Sequence, residues 1–284
     1  MTSGSNAPAE QALKICALLP EVETALSTLQ CAVAASRGFA AEICAVHVGF
    51  DARRAIVDAE ELEVQQLREL YEGPPEARTA RVKAVVDEFC AATPDAPAIY
   101  WRDDEGDVAA HVALEAYGVQ LIVLSRPIHL DAADAFHSAL FGAHRLILIA
   151  PRDVSAAERA IGRHIVVGWK PGRPVEATAE AAAPWLRRAE KVTVLWAQKA
   201  GVEPYDVSAR AFFERLGVAV EIVRLQRFEH SVGLDLIAEA QRRGADSLLI
   251  GAYSHGAWWE AIFGGVTRDV LAHAEMPVFM MRAR

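Results

Sequence analysis

From residue 13 onward the chain alternates short, unbroken apolar runs with longer segments of mixed polarity. In the first half, Leu13 to Leu19, Ala41 to Val48, Ile99 to Arg102, Val119 to Ser125 and Arg145 to Ala150 read as strands. Glu21 to Arg37, Ala59 to Val86 and Asp107 to Tyr117 read as helices between them. The second half repeats the order. Its strands are predicted at His164 to Trp169, Val192 to Ala197, Val218 to Leu225, Asp246 to Gly251 and Val278 to Arg282. Its helices are predicted at Val175 to Ala189, Val207 to Leu216, Val232 to Arg243 and Val266 to Ala274. Continuous runs such as Ile165-Val166-Val167 and Leu248-Leu249-Ile250 suit strands covered by helices on both faces. Strands alternating with helices argue for right-handed βαβ units and a parallel sheet. The repeat predicts an α/β fold of two tandem parallel-sheet domains, 12–152 and 160–284, with a polar linker around Pro151 to Gly162.

In such a sheet, ligands bind beyond the carboxyl ends of the strands, so the loops there are the places to look. The richest follows Ile250. It opens with Gly251, passes Ser254, His255 and Gly256, and reaches Gly264-Gly265 just before a helix. Glycines ahead of a helix let a phosphate approach backbone N–H groups at the positive end of the helix dipole. The alternative is a turn whose glycines serve packing only. Lys170 at the end of the first strand of this half is either an anion contact or a solvated loop lysine. Trp169 and Trp196 end neighbouring strands, as a stacking wall for a planar ligand or as plugs of the cleft.

Other constellations fall short. Ser254 beside His255 has one residue too many for a nucleophile elbow, and adjacent side chains on extended backbone point opposite ways. His47 and His255 have no local acid partner and read as structural. The nine histidines show no metal-ligand spacing. The acidic run Asp103 to Asp107 reads as a helix cap. After Ser125 no glycine cradle appears, so no nucleotide is expected in the first half.

Charge sharpens the contrast between halves. Of the 284 residues, 1–150 hold 11 Lys/Arg against 22 Asp/Glu, a net of −11, and 151–284 hold 18 against 16, a net of +2. The second half is therefore the better host for an anion. A net of −9 overall argues against nucleic-acid binding. No run of about 18 apolar residues suggests a membrane span. Four dispersed cysteines, Cys16, Cys31, Cys44 and Cys90, read as reduced thiols, at least two of them buried, in a cytoplasmic protein.

Three segments carry a family resemblance: Leu248-Leu-Ile-Gly-Ala-Tyr-Ser-His, Phe263-Gly-Gly-Val-Thr-Arg-Asp-Val-Leu and Met276-Pro-Val-Phe-Met-Met-Arg. Together they resemble the C-terminal signature of the universal stress protein family. Val166-Val-Gly-Trp-Lys-Pro-Gly-Arg is similar to its tandem members. So, more weakly, are Leu121-Ile-Val-Leu-Ser-Arg-Pro and Ala139-Leu-Phe-Gly-Ala-His-Arg. The resemblance implies five-stranded Rossmann-like domains of the adenine nucleotide hydrolase type, with strand order 3-2-1-4-5. It implies an ATP or other adenine-nucleotide site on Gly-x-x-Gly, nine residues, then Gly and Ser/Thr. Here Gly251 begins the motif, Ser254 replaces its second glycine, Gly264 keeps the third, and Gly265 replaces the hydroxyl residue. Losing one hydrogen bond to a charged group costs about 1.5–3 kcal/mol, so the resemblance implies a weakened site. Family ATP binders carry an acidic residue at the end of the first strand, where this half has Lys170.

The expected ligand-binding set is thus Gly251, Ser254, His255, Gly264, Gly265, Trp169, Lys170 and Ala197, with no catalytic residue and no metal. The expected role is a stress-response binding or regulatory protein, at most a slow ATPase, since no Walker lysine or acidic metal ligand is visible. Two alternatives stay open. One is an enzyme or carrier using the cleft for another small anion. The other is a structural stress protein with no ligand. The halves are expected to pair as an intramolecular pseudo-dimer, through their last strands or nearby helices, which leaves room for a homodimer.

Overall fold

The computed structural model describes residues 12–51, 59–153, 155, 161–197, 206–225, 231–252 and 265–283. The first half runs β1 (Leu13–Leu18), α1 (Val22–Ser36), β2 (Ala41–Phe50), α2 (Ala59–Glu72), α3 (Pro75–Ala92), β3 (Ile99–Gly106), α4 (Val108–Glu115), β4 (Leu121–Ser125), α5 (Leu130–Phe141) and β5 (Leu146–Ala150). The second runs β6 (His164–Trp169), α6 (Arg173–Ala181), α7 (Ala183–Arg188), β7 (Lys191–Ala197), α8 (Asp206–Arg215), β8 (Glu221–Leu225), α9 (Val232–Arg242), β9 (Ser247–Ala252), α10 (Gly265–His273) and β10 (Val278–Arg282).

All ten strands form one sheet in the order β3-β2-β1-β4-β5-β10-β9-β6-β7-β8. Within each half the order is 3-2-1-4-5 and the pairing parallel. The halves meet where β10 runs antiparallel to β5, with Phe279 opposite Leu148. The central strands β4 and β5 are buried along their full length, as continuous apolar runs require when helices cover both faces. One core layer lies under α1, α3, α6, α7 and α8, and the other under α4, α5, α9 and α10.

Three polar contacts tie the halves at helix ends, where backbone carbonyls lack intrahelical partners. Trp185 Nε1 of α7 donates to Ala35 O near the end of α1 at 2.8 Å. Arg126 NH1 donates to Leu271 O and Ala272 O in the last turn of α10, at 2.9 and 2.7 Å. Arg282 NH1 donates to Phe141 O, the last residue of α5, at 3.2 Å.

The structure departs from the sequence reading in three elements. The helix expected over Ala59 to Val86 is two helices, broken at Gly73 (φ 82°) and at Pro74, which precedes α3. The helix expected over Val175 to Ala189 is also two, because Pro184 in the first turn of α7 lacks the N–H that would continue α6. Helix α5 is not among the elements expected from the sequence. Its apolar stripe, Ala132, Ala135, Phe136, Ala139 and Leu140, has helical period, but the aspartates between hide it. The four cysteines are free thiols, with Cys16 and Cys31 buried. Burial pushes the Cys31 thiol well up, so it is a small core residue and not a nucleophile.

Candidate functional site

In the second half, β6 ends at Trp169 and the chain turns through Lys170, Pro171 and Gly172 into α6. Gly172 precedes the helix at φ 142°, a conformation only glycine adopts freely, and its N–H lies 3.3 Å from Glu176 Oε1. Beside this turn, β9 carries Gly251. A Cβ there would stand 2.5 Å from Val175 N and 2.6 Å from the carbonyl carbon of Pro174. Gly251 is therefore a glycine because the backbone of α6 crosses β9 in contact with it. A Cβ on Gly265, the first residue of α10, would meet none of the described residues within 4 Å. The two described glycines of the motif thus do different work. Gly251 seats a helix, and Gly265, at the amino end of another, has no described residue crowding it. Ser254, His255 and Gly264 lie outside the described residues.

Helix α10 is fixed at that end. Asp269 accepts from the Ser231 hydroxyl, and Ser231 Oγ in turn accepts from Leu234 N at 3.2 Å at the start of α9. Gly233 allows the contact, since a Cβ there would lie 2.7 Å from Asp269 Cβ. Thr267 is buried and its Oγ1 has no partner among the described residues.

Trp169 and Trp196 are register partners on β6 and β7. They are only 3% and 5% exposed. Trp169 packs on Phe212 and Phe213 of α8 at ring separations of 5.2 and 5.4 Å, and the Arg224 guanidinium stands 5.6 Å from the Trp196 ring. Both rings are buried among the described residues, the arrangement expected of plugs rather than of an open stacking wall. Lys170 is exposed and Ala197 half-buried at the same rim.

The first half shows what else this place in the fold holds. Leu18-Leu19-Pro20-Glu21 stands where the second half has Trp169-Lys170-Pro171-Gly172, each leading into a helix. Glu21 is 6% exposed. Its carboxylate accepts from Ile128 N with both oxygens at 3.1 Å, from His129 N at 2.9 Å, and from Thr24 Oγ1 at 3.1 Å. Since His129 immediately precedes α5, a buried anion sits on the positive end of that helix. Sequence reasoning passed over Glu21. The available signal was an acidic residue just after a strand-ending proline turn.

A second charged group roofs this end. Asp131 is paired with Arg68 of α2, lies 3.8 Å from Arg78 of α3, and accepts from Phe50 N at 3.1 Å. Burial and the neighbouring Arg68 lower the Arg78 guanidinium from its ordinary value, while Asp131 opposes them. His47, buried, lies 2.8 Å from Leu19 O through Nδ1 and stacks on Trp101, in keeping with a structural histidine. His129 is 3.2 Å from Glu23 and 3.5 Å from Glu72. Glu21, Glu23 and His129 bring three donor atoms within 4.8 Å of one another, but both oxygens of Glu21 already serve backbone N–H groups. Of the acidic run, Asp107 caps α4 through Ala110 N at 2.8 Å, whereas Asp103 and Asp104 belong to β3.

Residues 155–282 match the Universal stress protein family model. No curated protein matches the chain. Along nearly its whole length it is similar in fold to a universal stress protein from Archaeoglobus fulgidus, 12% identical, covering 95% of this chain and 96% of that one at a TM-score of 0.59. It is likewise similar to a putative universal stress protein from Pseudomonas aeruginosa, 15% identical, covering 96% and 94% at a TM-score of 0.53. A half-length match, the universal stress protein from Archaeoglobus fulgidus in complex with dAMP, is 22% identical and covers 42% of this chain and 95% of that one, at a TM-score of 0.32.

Proposed function

We propose that this chain, whose residues 155–282 match the Universal stress protein family model, is a regulatory binding protein that takes an adenine nucleotide at the amino end of α10. The observation that carries the reading is the difference between the halves. In the first, Glu21 occupies the helix end with its own carboxylate. In the second, the corresponding residue is Gly172, which has no side chain to do so. An anion from outside then supplies what Glu21 supplies internally, and the near-neutral second half favours it. Gly265 allows close approach, and Lys170 at the same rim complements a phosphate. Ser254, His255, Gly264 and Ala197 complete the proposed set. The substitutions at two motif positions make this a weak site and a sensor of abundant nucleotide rather than a phosphoryl-transfer enzyme.

The test is a calorimetric titration of the full chain with ATP, with and without Mg²⁺, alongside mass spectrometry of small molecules released on denaturation. Gly265→Glu sets a carboxylate where phosphate would sit, so ATP affinity falls by about tenfold or more with an unchanged melting temperature. The burial of Trp169 and Trp196 favours a second reading, a ligand-free structural protein. No released nucleotide and no titratable heat would select it. A different released anion would instead point to an enzyme or carrier.

A further inference from the structure

Helix α2 is packed inside out. A surface helix of a globular protein ordinarily turns its apolar stripe to the core and its polar face to water. In α2 the buried residues are Gln65 and Arg68, with Arg68 engaged by Asp131 and Glu72. The apolar residues face out: Leu67 is 59% exposed, Leu70 77% and Tyr71 83%, with Leu62 and Val64 exposed as well. Val64, Leu67 and Tyr71 recur at i, i+3 and i+7 and so form one stripe. The helix is held by its charged face, so the outward stripe serves something other than folding.

We propose that this stripe is a docking surface for a basic amphipathic helix of another protein. Charge selects the occupant. Helix α2 carries five glutamates against one arginine, and Arg68 is taken up internally together with Glu72. Glu63 and Glu69 are exposed, and Glu63 lies beside the stripe. A second copy of the chain docking here by two-fold symmetry would set acid against acid, and an anionic lipid surface would be repelled too. A helix with apolar anchors at matching spacing and lysines or arginines at its flanks satisfies both features.

The test uses the full chain and a labelled peptide of about 18 residues, roughly five helical turns, with leucines at i, i+3, i+4 and i+7 and lysines elsewhere. A second peptide has glutamate for lysine. The expected result is saturable binding of the lysine peptide, one per chain, and none of the glutamate peptide. Leu70→Glu and Tyr71→Glu each weaken it about tenfold or more, and Leu114→Glu on the exposed face of α4 leaves it unchanged. Added negative charge would strengthen a purely electrostatic contact, so the loss reports the apolar seat. Melting temperatures of the variants should equal the parent's, because the replaced side chains are exposed. Equal binding of both peptides, or insensitivity to the α2 variants, overturns the proposal. So does a homodimer in sedimentation velocity that Leu70→Glu dissociates, or binding to phosphatidylcholine vesicles that Leu70→Glu abolishes.

Discussion

Glu21 differs from a surface glutamate because it is buried and its carboxylate accepts from the backbone N–H groups of Ile128 and His129 as well as from the Thr24 hydroxyl. Glu21→Ala leaves the N–H groups of Ile128 and His129 without acceptors, at a cost of about 1–3 kcal/mol in denaturant unfolding. Inorganic phosphate should then restore part of the lost stability to the variant and add none through this place to the parent. If phosphate acts equally on both, the reading of α5 as an internally filled anion seat fails. His164 gives a titratable counterpart. Burial, and secondarily Lys191, lowers its pKa, and it lies 3.0 Å from Thr193 Oγ1. A lowered folded value means the unfolded chain binds the proton more readily. Stability is therefore complete above about pH 6.5 and is lost as pH falls from there through the folded value. His164→Gln should flatten that acid slope in a series of melting temperatures. At this scale the sequence was only partly legible. Gly251 and Gly265 were both marked, but only the geometry separates a glycine that a helix crosses from one that no described residue crowds. Trp169 was marked as a wall or a plug, and its burial against Phe212 and Phe213 makes it core.

Elements were most legible where one physical cause dominated. The strands follow from continuous apolar runs, and their ends agree with the structure within a few residues. Helices were less so. In α2 the period is helical but the phase is reversed relative to the core, which no periodicity argument detects without the neighbours. In α5 the stripe of small apolar residues was outweighed by Asp131 and Asp134, of which Asp131 is buried and paired, not solvated. The join of α6 to β9 carries the prediction that belongs here. Gly251→Ala drives a methyl group into the backbone of Pro174 and Val175, which neither side-chain rotation nor solvent exposure relieves. It should destabilise by about 1–3 kcal/mol in chemical denaturation, whereas Gly265→Ala should stay within about 0.5 kcal/mol of the parent. Equal effects at the two glycines would contradict the close crossing of α6.

For the molecule as a whole, the repeat was visible in the order of elements and the join through the last strands was expected, while its antiparallel sense was not, since a parallel unit carries no local sign of an antiparallel partner. The joint is broad: backbone pairing along β5 and β10 and side chains on helix ends at both faces. A single calorimetric transition is therefore expected. Arg126→Met, which removes the donors to Leu271 O and Ala272 O, should lower that transition without splitting it. Two separate peaks would mean the halves unfold independently. The same seam has a consequence for synthesis. β10 is made after every other strand described, yet it lies at the middle of the sheet. From the time β5 leaves the ribosome until β10 follows, about 7 to 25 s at ordinary elongation rates, the hydrogen-bonding edge of β5 waits unpaired. An apolar strand, Leu146 to Ala150, held open that long is a template for misassembly with neighbouring nascent chains. The nascent first half is thus a client for chaperones until the sheet closes from its centre.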